Sequence, residues 1–221
     1  MMNKTKRVPV MRHPKPYRFL HWLIVIEMVI LLITGLNVSE NFTIGLLSRG
    51  LARSIHLVIA FTWLATITIF LYYFIISGEY QWFGLRRLGQ AIDALVEKIR
   101  AFFTGEHLPE PIRYDPNKKT YIEKIYPTEV LAWWIWAAVW TLLALTGLAL
   151  LFPDTFSIVN RFWHFIWPEY GKATAATRTA HFLGGILVVV VVLVHGYMVI
   201  QADMWQAIIK GIRKEPVAET E

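Results

Sequence analysis

The chain has 221 residues, 56% of them hydrophobic and 14% aromatic, with ten tryptophans and a mean hydropathy of +0.45. That composition excludes an ordinary soluble domain and a disordered chain, and places the sequence among membrane proteins. The formal net charge of +6 is read first as a topology signal, and the lack of cysteine excludes disulfides, thiolate metal sites, thiolate-held iron–sulfur clusters and c-type haem attachment.

A basic segment, with Lys4, Lys6, Arg7, Arg12, Lys15 and Arg18, leads into a first apolar span from about Phe19 to Val38. This span is too long for a signal-peptide core and lacks a small-residue cleavage site, so it reads as a retained helix. A second span runs from about Leu51 to Ile76, a third from Val130 to Phe152 and a fourth from Thr179 to Ile200. Each is long enough to cross about 30 Å of hydrocarbon. The expected fold is all-α: a four-transmembrane-helix bundle, up-down-up-down, in a single domain over residues 1–221.

The middle loop, residues 77–129, has a pattern of its own. Leu85, Leu88, Ile92, Leu95, Ile99 and Phe102 recur at helical spacing opposite charged residues. They predict an amphipathic helix lying at the interface. GEHLPEPIRYDPNKK reads as an irregular loop, FSIVNRFWHFIWPEYG as a second interfacial piece, and the final EPVAETE as disordered. Seventeen Lys and Arg fall on the side holding both termini and the middle loop, against five in the other two loops. The positive-inside rule therefore predicts a multi-pass protein with both termini and the middle loop cytoplasmic.

Four histidines stand in the spans: His21, His56, His181 and His195. His181 and His195 are 14 residues apart. At about 100° and 1.5 Å per residue they leave one helix face and sit about 21 Å apart in depth. His56 opens the second span near the outer side, as His181 opens the fourth; His21 opens the first near the inner side, where His195 ends. Depth alone pairs His56 with His181 and His21 with His195. Paired imidazoles on facing helices suit two six-coordinate haem irons, which transfer electrons and bind no substrate. His13, His107 and His164 fall in water-facing segments and are assigned no metal.

Arg18, Arg53 and Arg178 each precede a histidine by three residues, one turn nearer water. Guanidinium binds carboxylate in bidentate fashion, so they are expected to hold haem propionates, the plainer role being interfacial anchoring. Gly35 lies 14 residues after His21, Gly184 and Gly185 lie one turn inside His181, and Gly147 is near the outer end of span three. They suit either close approach to a porphyrin or helix–helix packing. Glu27, inside span one, is a carboxylate in the membrane and hence a candidate for proton transfer or for pairing with a neighbouring helix.

Histidine–tryptophan opening span one with a glycine 14 later, a histidine opening span two, LTG in span three and two histidines 14 apart in span four resemble the di-haem cytochrome b subunit of respiratory formate dehydrogenase. Related subunits serve NiFe hydrogenases, thiosulfate reductases and multihaem complexes. The amphipathic loop helix followed by Gly105, Glu106 and His107 favours the formate dehydrogenase type. The resemblance implies two haems b, His56 with His181 on the outer and His21 with His195 on the inner. It implies partners too: iron–sulfur and catalytic subunits outside the membrane, and menaquinone or ubiquinone near the inner haem. No nucleic-acid partner is expected, nor substrate oxidation by this chain alone. One stretch departs from the family: KIYPTEVLAWW opens span three where a Tyr-Asn-x-Gly-Gln type sequence would help form the quinone pocket. Tyr126 and Glu129 stand there as possible quinone contacts, or as an interfacial anchor and a first-turn helix charge. The competing class is a transporter or a zinc enzyme, the latter requiring three converging ligands. Within the haem class, the same residues also serve flow from quinol outward.

Overall fold

A computed structural model describes residues 6–39, 45–106 and 108–218 of the chain. In chain order the long helices are α1 (Lys15–Val38), α2 (Arg49–Ile76), an intervening α3 (Leu88–Thr104), then α4 (Pro127–Leu151), a short α5 (Ser157–Ile166) and α6 (Ala173–Gln201), with α7 (Trp205–Lys210) last. Four of them, α1, α2, α4 and α6, are long and apolar enough to cross a membrane. The chain is an all-α membrane bundle. Each crossing helix begins before the apolar run does, by two to six residues. Hydropathy marks only the length that lies in hydrocarbon, whereas the backbone ladder continues into the interface. The large side chains of these helices mostly face outward, as a lipid-bathed surface requires.

Contacts gather the chain into two compact units. One comprises residues 20–70 and 136–197, the middle of the bundle together with α5. Its aromatic interior includes Trp63 edge-on to Trp140 at 6.3 Å and Trp136 tilted against Trp140 at 5.8 Å. Asn160 of α5, only 4% exposed, donates to the carbonyl of Ala149 and accepts from the Thr177 hydroxyl at 2.7 Å. It thereby satisfies a carbonyl left over at the end of α4 and ties α4 to α6. The exposed Ile158, Phe162 and Phe165 give α5 the apolar face expected of an interfacial helix.

The second unit holds residues 1–19, 71–135 and 198–221. Here four strands appear that the sequence pattern did not announce. β1 (Arg7–Met11) pairs antiparallel with β4 (Ile212–Pro216), Arg7 opposite Pro216 and Met11 opposite Ile212. β2 (Arg113–Asp115) pairs with β3 (Thr120–Glu123). The expected irregular loop therefore contains a strand, and the expected disordered tail is structured as far as Ala218, whose N–H donates to the Tyr114 carbonyl; residues 219–221 lie outside the described residues. The cause is a buried ion cluster. Glu215 is fully buried and accepts from Arg12 at 3.1 Å, Arg213 at 2.7 Å and the Tyr121 hydroxyl at 3.2 Å. Arg213 also donates to Glu110 at 2.8 Å, and Arg7 pairs with the same carboxylate.

α3 docks in this unit through small residues. Ala91 packs against Ile125 and Val130, while Ile92, Val96, Ile99 and Phe102 stay exposed. Leu85, Ile92, Ile99 and Phe102 of the expected stripe are thus turned away from the protein, as contact with lipid requires, whereas Leu88 packs against the core.

Candidate functional site

The first unit brings His56 and His181 together. Their ring centroids lie 6.3 Å apart with the planes at 78°. Each ring is held by a threonine of the helix beside it. Thr34 of α1 lies 2.9 Å from His56 Nδ1, and Thr146 of α4 lies 2.8 Å from His181 Nδ1. Both threonine hydroxyls donate to the carbonyl four residues back, Ile30 at 2.7 Å and Leu142 at 2.6 Å. Their single hydrogen is thereby used, so each accepts from the imidazole N–H. That assigns the proton to Nδ1 and leaves Nε2 of both rings as the lone-pair donor.

The residue after each threonine is a glycine for a related reason. A Cβ on Gly35 would stand 3.3 Å from His56 Cε1, and one on Gly147 would stand 3.3 Å from His181 Cε1. The room these two glycines leave is taken by an imidazole. Gly184 answers to packing instead: its Cβ would meet Leu143 of α4 at 2.9 Å, while at Gly185 a Cβ would meet open space.

Two metal–nitrogen bonds of about 2 Å each, with the offset of each centroid from its nitrogen, put coaxial imidazole ligands about 6 Å apart between centroids. The 6.3 Å observed suits that span, and the oriented Nε2 atoms suit a six-coordinate iron. The residues fit a bis-histidine haem.

His21 and His195 are set at the other end of α1 and α6. They lie near enough to interact electrostatically. His21 Nδ1 is buried with no hydrogen-bond partner among the described residues, and His195 is edge-on to Trp136 at 6.3 Å. Among the described residues no three His, Asp or Glu side chains converge as a catalytic zinc would need.

The arginines are placed differently from one another. Arg53 and Arg178 are exposed, one turn before His56 and His181. Arg18 donates from Nη1 to the Ile209 carbonyl at 2.6 Å, bracing the end of α7. Its Nε is buried and without a partner among the described residues, so a donor remains there for an acceptor such as a carboxylate.

Tyr126 and Glu129 belong to the second unit's ion cluster. Pro127 starts α4, and Glu129 at its third position accepts the Tyr126 N–H at 3.0 Å, half of a capping box. Arg12 pairs with the same carboxylate oxygen at 3.5 Å. The Tyr126 hydroxyl donates to Glu110 at 3.2 Å. Burial, with the Glu110 charge beside it, pushes the Tyr126 phenol up to about 12, so it acts as a hydrogen-bond donor and not as a base near neutrality. The two residues singled out for a quinone thus have structural partners as well.

His13 stacks on Tyr17 at 4.6 Å, and His164 lies on α5 with Nδ1 buried and unbonded among the described residues. His107 lies outside the described residues. Sequence reasoning passed over Thr34 and Thr146, although the near-identical strings ITGL at 33–36 and LTGL at 145–148 carried the signal. It also passed over Asn37, which is 1% exposed with neither amide atom bonded among the described residues.

A family model described as prokaryotic cytochrome b561 matches residues 12–212. Comparison with curated proteins finds no match.

Proposed function

The chain belongs to the prokaryotic cytochrome b561 family, and from that premise we propose that this membrane b-type cytochrome carries two haems and links an external iron–sulfur oxidoreductase to the quinone pool. The family implies haem b, electron transfer and a multi-pass place in a prokaryotic membrane. The observation that carries the proposal is the His56–His181 pair, 6.3 Å between ring centroids with both Nδ1 atoms engaged by threonine. His21 and His195 are the ligands of the second haem. Each haem, when bound, supplies a one-electron centre with no open coordination position.

The protein's own residues orient and insulate. Thr34 and Thr146 hold the outer imidazoles in one tautomer, and Arg53 and Arg178 offer guanidinium to the propionates at that level. Arg18 does the same at the inner level through its unbonded Nε. Tyr126 and Glu129 are assigned to menaquinone or ubiquinone, with the phenol donating to a quinone oxygen. The charge bias supports a cytoplasmic location for both termini and the middle loop. The partner is assigned to the formate dehydrogenase type.

The experiment is haem stoichiometry and visible spectra of the purified chain beside its His181→Ala and His195→Ala variants. Two haems b per chain are expected, falling to one in each variant. One haem per chain in the wild type, or no loss in either variant, overturns the assignment. The subunits that co-purify decide the partner: molybdenum or tungsten with ferredoxin-like subunits supports the formate dehydrogenase type, whereas a NiFe, thiosulfate-reducing or multihaem partner replaces it.

A further inference from the structure

Glu27 is an acidic side chain in the interior of a membrane-crossing helix, 5% exposed. It stands six residues past His21, about 9 Å along the axis, and so between the two histidine levels. Its Oε1 lies 3.0 Å from the Thr66 hydroxyl of α2, and that hydroxyl lies 3.0 Å from the Thr62 carbonyl. A threonine hydroxyl has one hydrogen and cannot donate to both oxygens. At Thr34 and Thr146 the hydrogen goes to the carbonyl four residues back, and the hydroxyl oxygen accepts from the incoming side chain. At Thr177 the hydroxyl donates to Asn160 Oδ1, an oxygen that carries no hydrogen. A carboxyl can carry one, and with the Thr34 direction at Thr66 Glu27 is the donor, which requires it to be protonated.

The alternative is less favourable on two counts. An ionised Glu27 would draw the Thr66 hydrogen away from the Thr62 carbonyl. It would also rest a full charge in the hydrocarbon layer on one neutral hydrogen bond. As a neutral acid its Oε1–H, the Thr66 hydroxyl and the Thr62 carbonyl are all satisfied.

The second oxygen tells where the proton can go. Glu27 Oε2 is buried and has no partner among the described residues, and neither has Trp63 Nε1. Trp63 precedes Thr66 by three residues on α2 and shares its face. Glu27 Oε2 on α1 is an acceptor and Trp63 Nε1 on α2 a donor left open, a pair that one ordered water would satisfy.

We propose that Glu27 is a neutral carboxylic acid that holds one exchangeable proton between the two histidine levels, with a water joining its Oε2 to Trp63 Nε1. This deepens the electron-transfer reading by giving the layer between the haems a proton carrier without a fixed charge. The protonation itself does not depend on that reading.

Infrared spectra of the full chain in membranes test it, recorded in water and in deuterium oxide for the wild type, Glu27→Gln and Trp63→Phe. The wild type should show the carbonyl band of a protonated carboxyl that shifts on deuteration and is missing in Glu27→Gln. Trp63→Phe should move that band, because the water loses its donor. Glutamine mimics the neutral acid in size and donor, so haem midpoint potentials in Glu27→Gln should equal those of the wild type. No carboxyl band, with both midpoints raised in Glu27→Gln, means an ionised Glu27 and overturns the proposal. A band that ignores deuteration removes the exchangeable proton, and a band unmoved in Trp63→Phe removes the water. Absence of haem from the wild-type preparation strikes the electron-transfer reading alone, since the infrared band is read with or without it.

Discussion

Thr34 and Thr146 accept a hydrogen bond from Nδ1–H of His56 and His181, the part a carboxylate or main-chain carbonyl plays behind many metal-bound histidines. Removing such a partner typically weakens the metal site about 10- to 100-fold. Thr34→Val, Thr146→Val and their combination should therefore release haem faster to a scavenging apoprotein, by about that factor for each single change. Thr34→Ser keeps the hydroxyl and should restore retention. Wild-type retention in the double valine variant would leave the threonines without a role at the iron. The meeting of His56 with His181 was legible from the sequence because depth and direction along one helix follow from counting residues. The threonines were not, since their meaning depends on which helices are neighbours and at what rotation.

The strands β1 to β4 and the ion cluster between them belong to the scale of elements. Glu215, fully buried between Arg12 and Arg213, is the most deeply buried acid of the cluster. Truncating one partner of such a cluster costs about 3–5 kcal/mol. Glu215→Ala should lower the thermal midpoint of the detergent-solubilised protein, whereas Lys118→Ala, on an exposed pair of 4.0 Å, should leave it within error. Acid should act on the same place. Burial pushes the Glu110 carboxyl up, but Arg213 and Arg7 outweigh burial and hold it below its ordinary value of 4.5. A carboxylate with a lowered pKa stabilises the fold at neutral pH, and that contribution fades as pH falls below 4.5 and through the lowered value. Unfolding of the terminal sheet, followed by amide hydrogen exchange, should be flat from neutral to mildly acid pH and steepen below it. Arg213→Lys should make the acid step smaller, because a less strongly held carboxyl has a folded pKa nearer its ordinary value and contributes less. None of this was legible in advance, because RVPVM and IRKEP each carry a proline, which argues against a strand unless both strands are edges. A two-stranded sheet consists of edges only.

At the scale of the whole molecule the bundle was almost fully legible, because a lipid-bathed helix must be apolar along its length whatever packs against it. Its direction through the membrane rests on seventeen cations against five. A chain without cysteine makes that simple to test: Lys172→Cys should react with an impermeant maleimide in intact spheroplasts, and Lys119→Cys only after permeabilisation. The reverse pattern would invert the protein and exchange the inner and outer assignments of every histidine. The contact between Arg12 and Glu215 spans 203 positions, so the first strand has no mate while the spans are being made. It waits, unpaired, until Ile212–Pro216 has left the ribosome. Closure of that sheet thus reports only that synthesis has passed Pro216, and a chain halted earlier would display its first strand unmated for quality-control proteases to grasp.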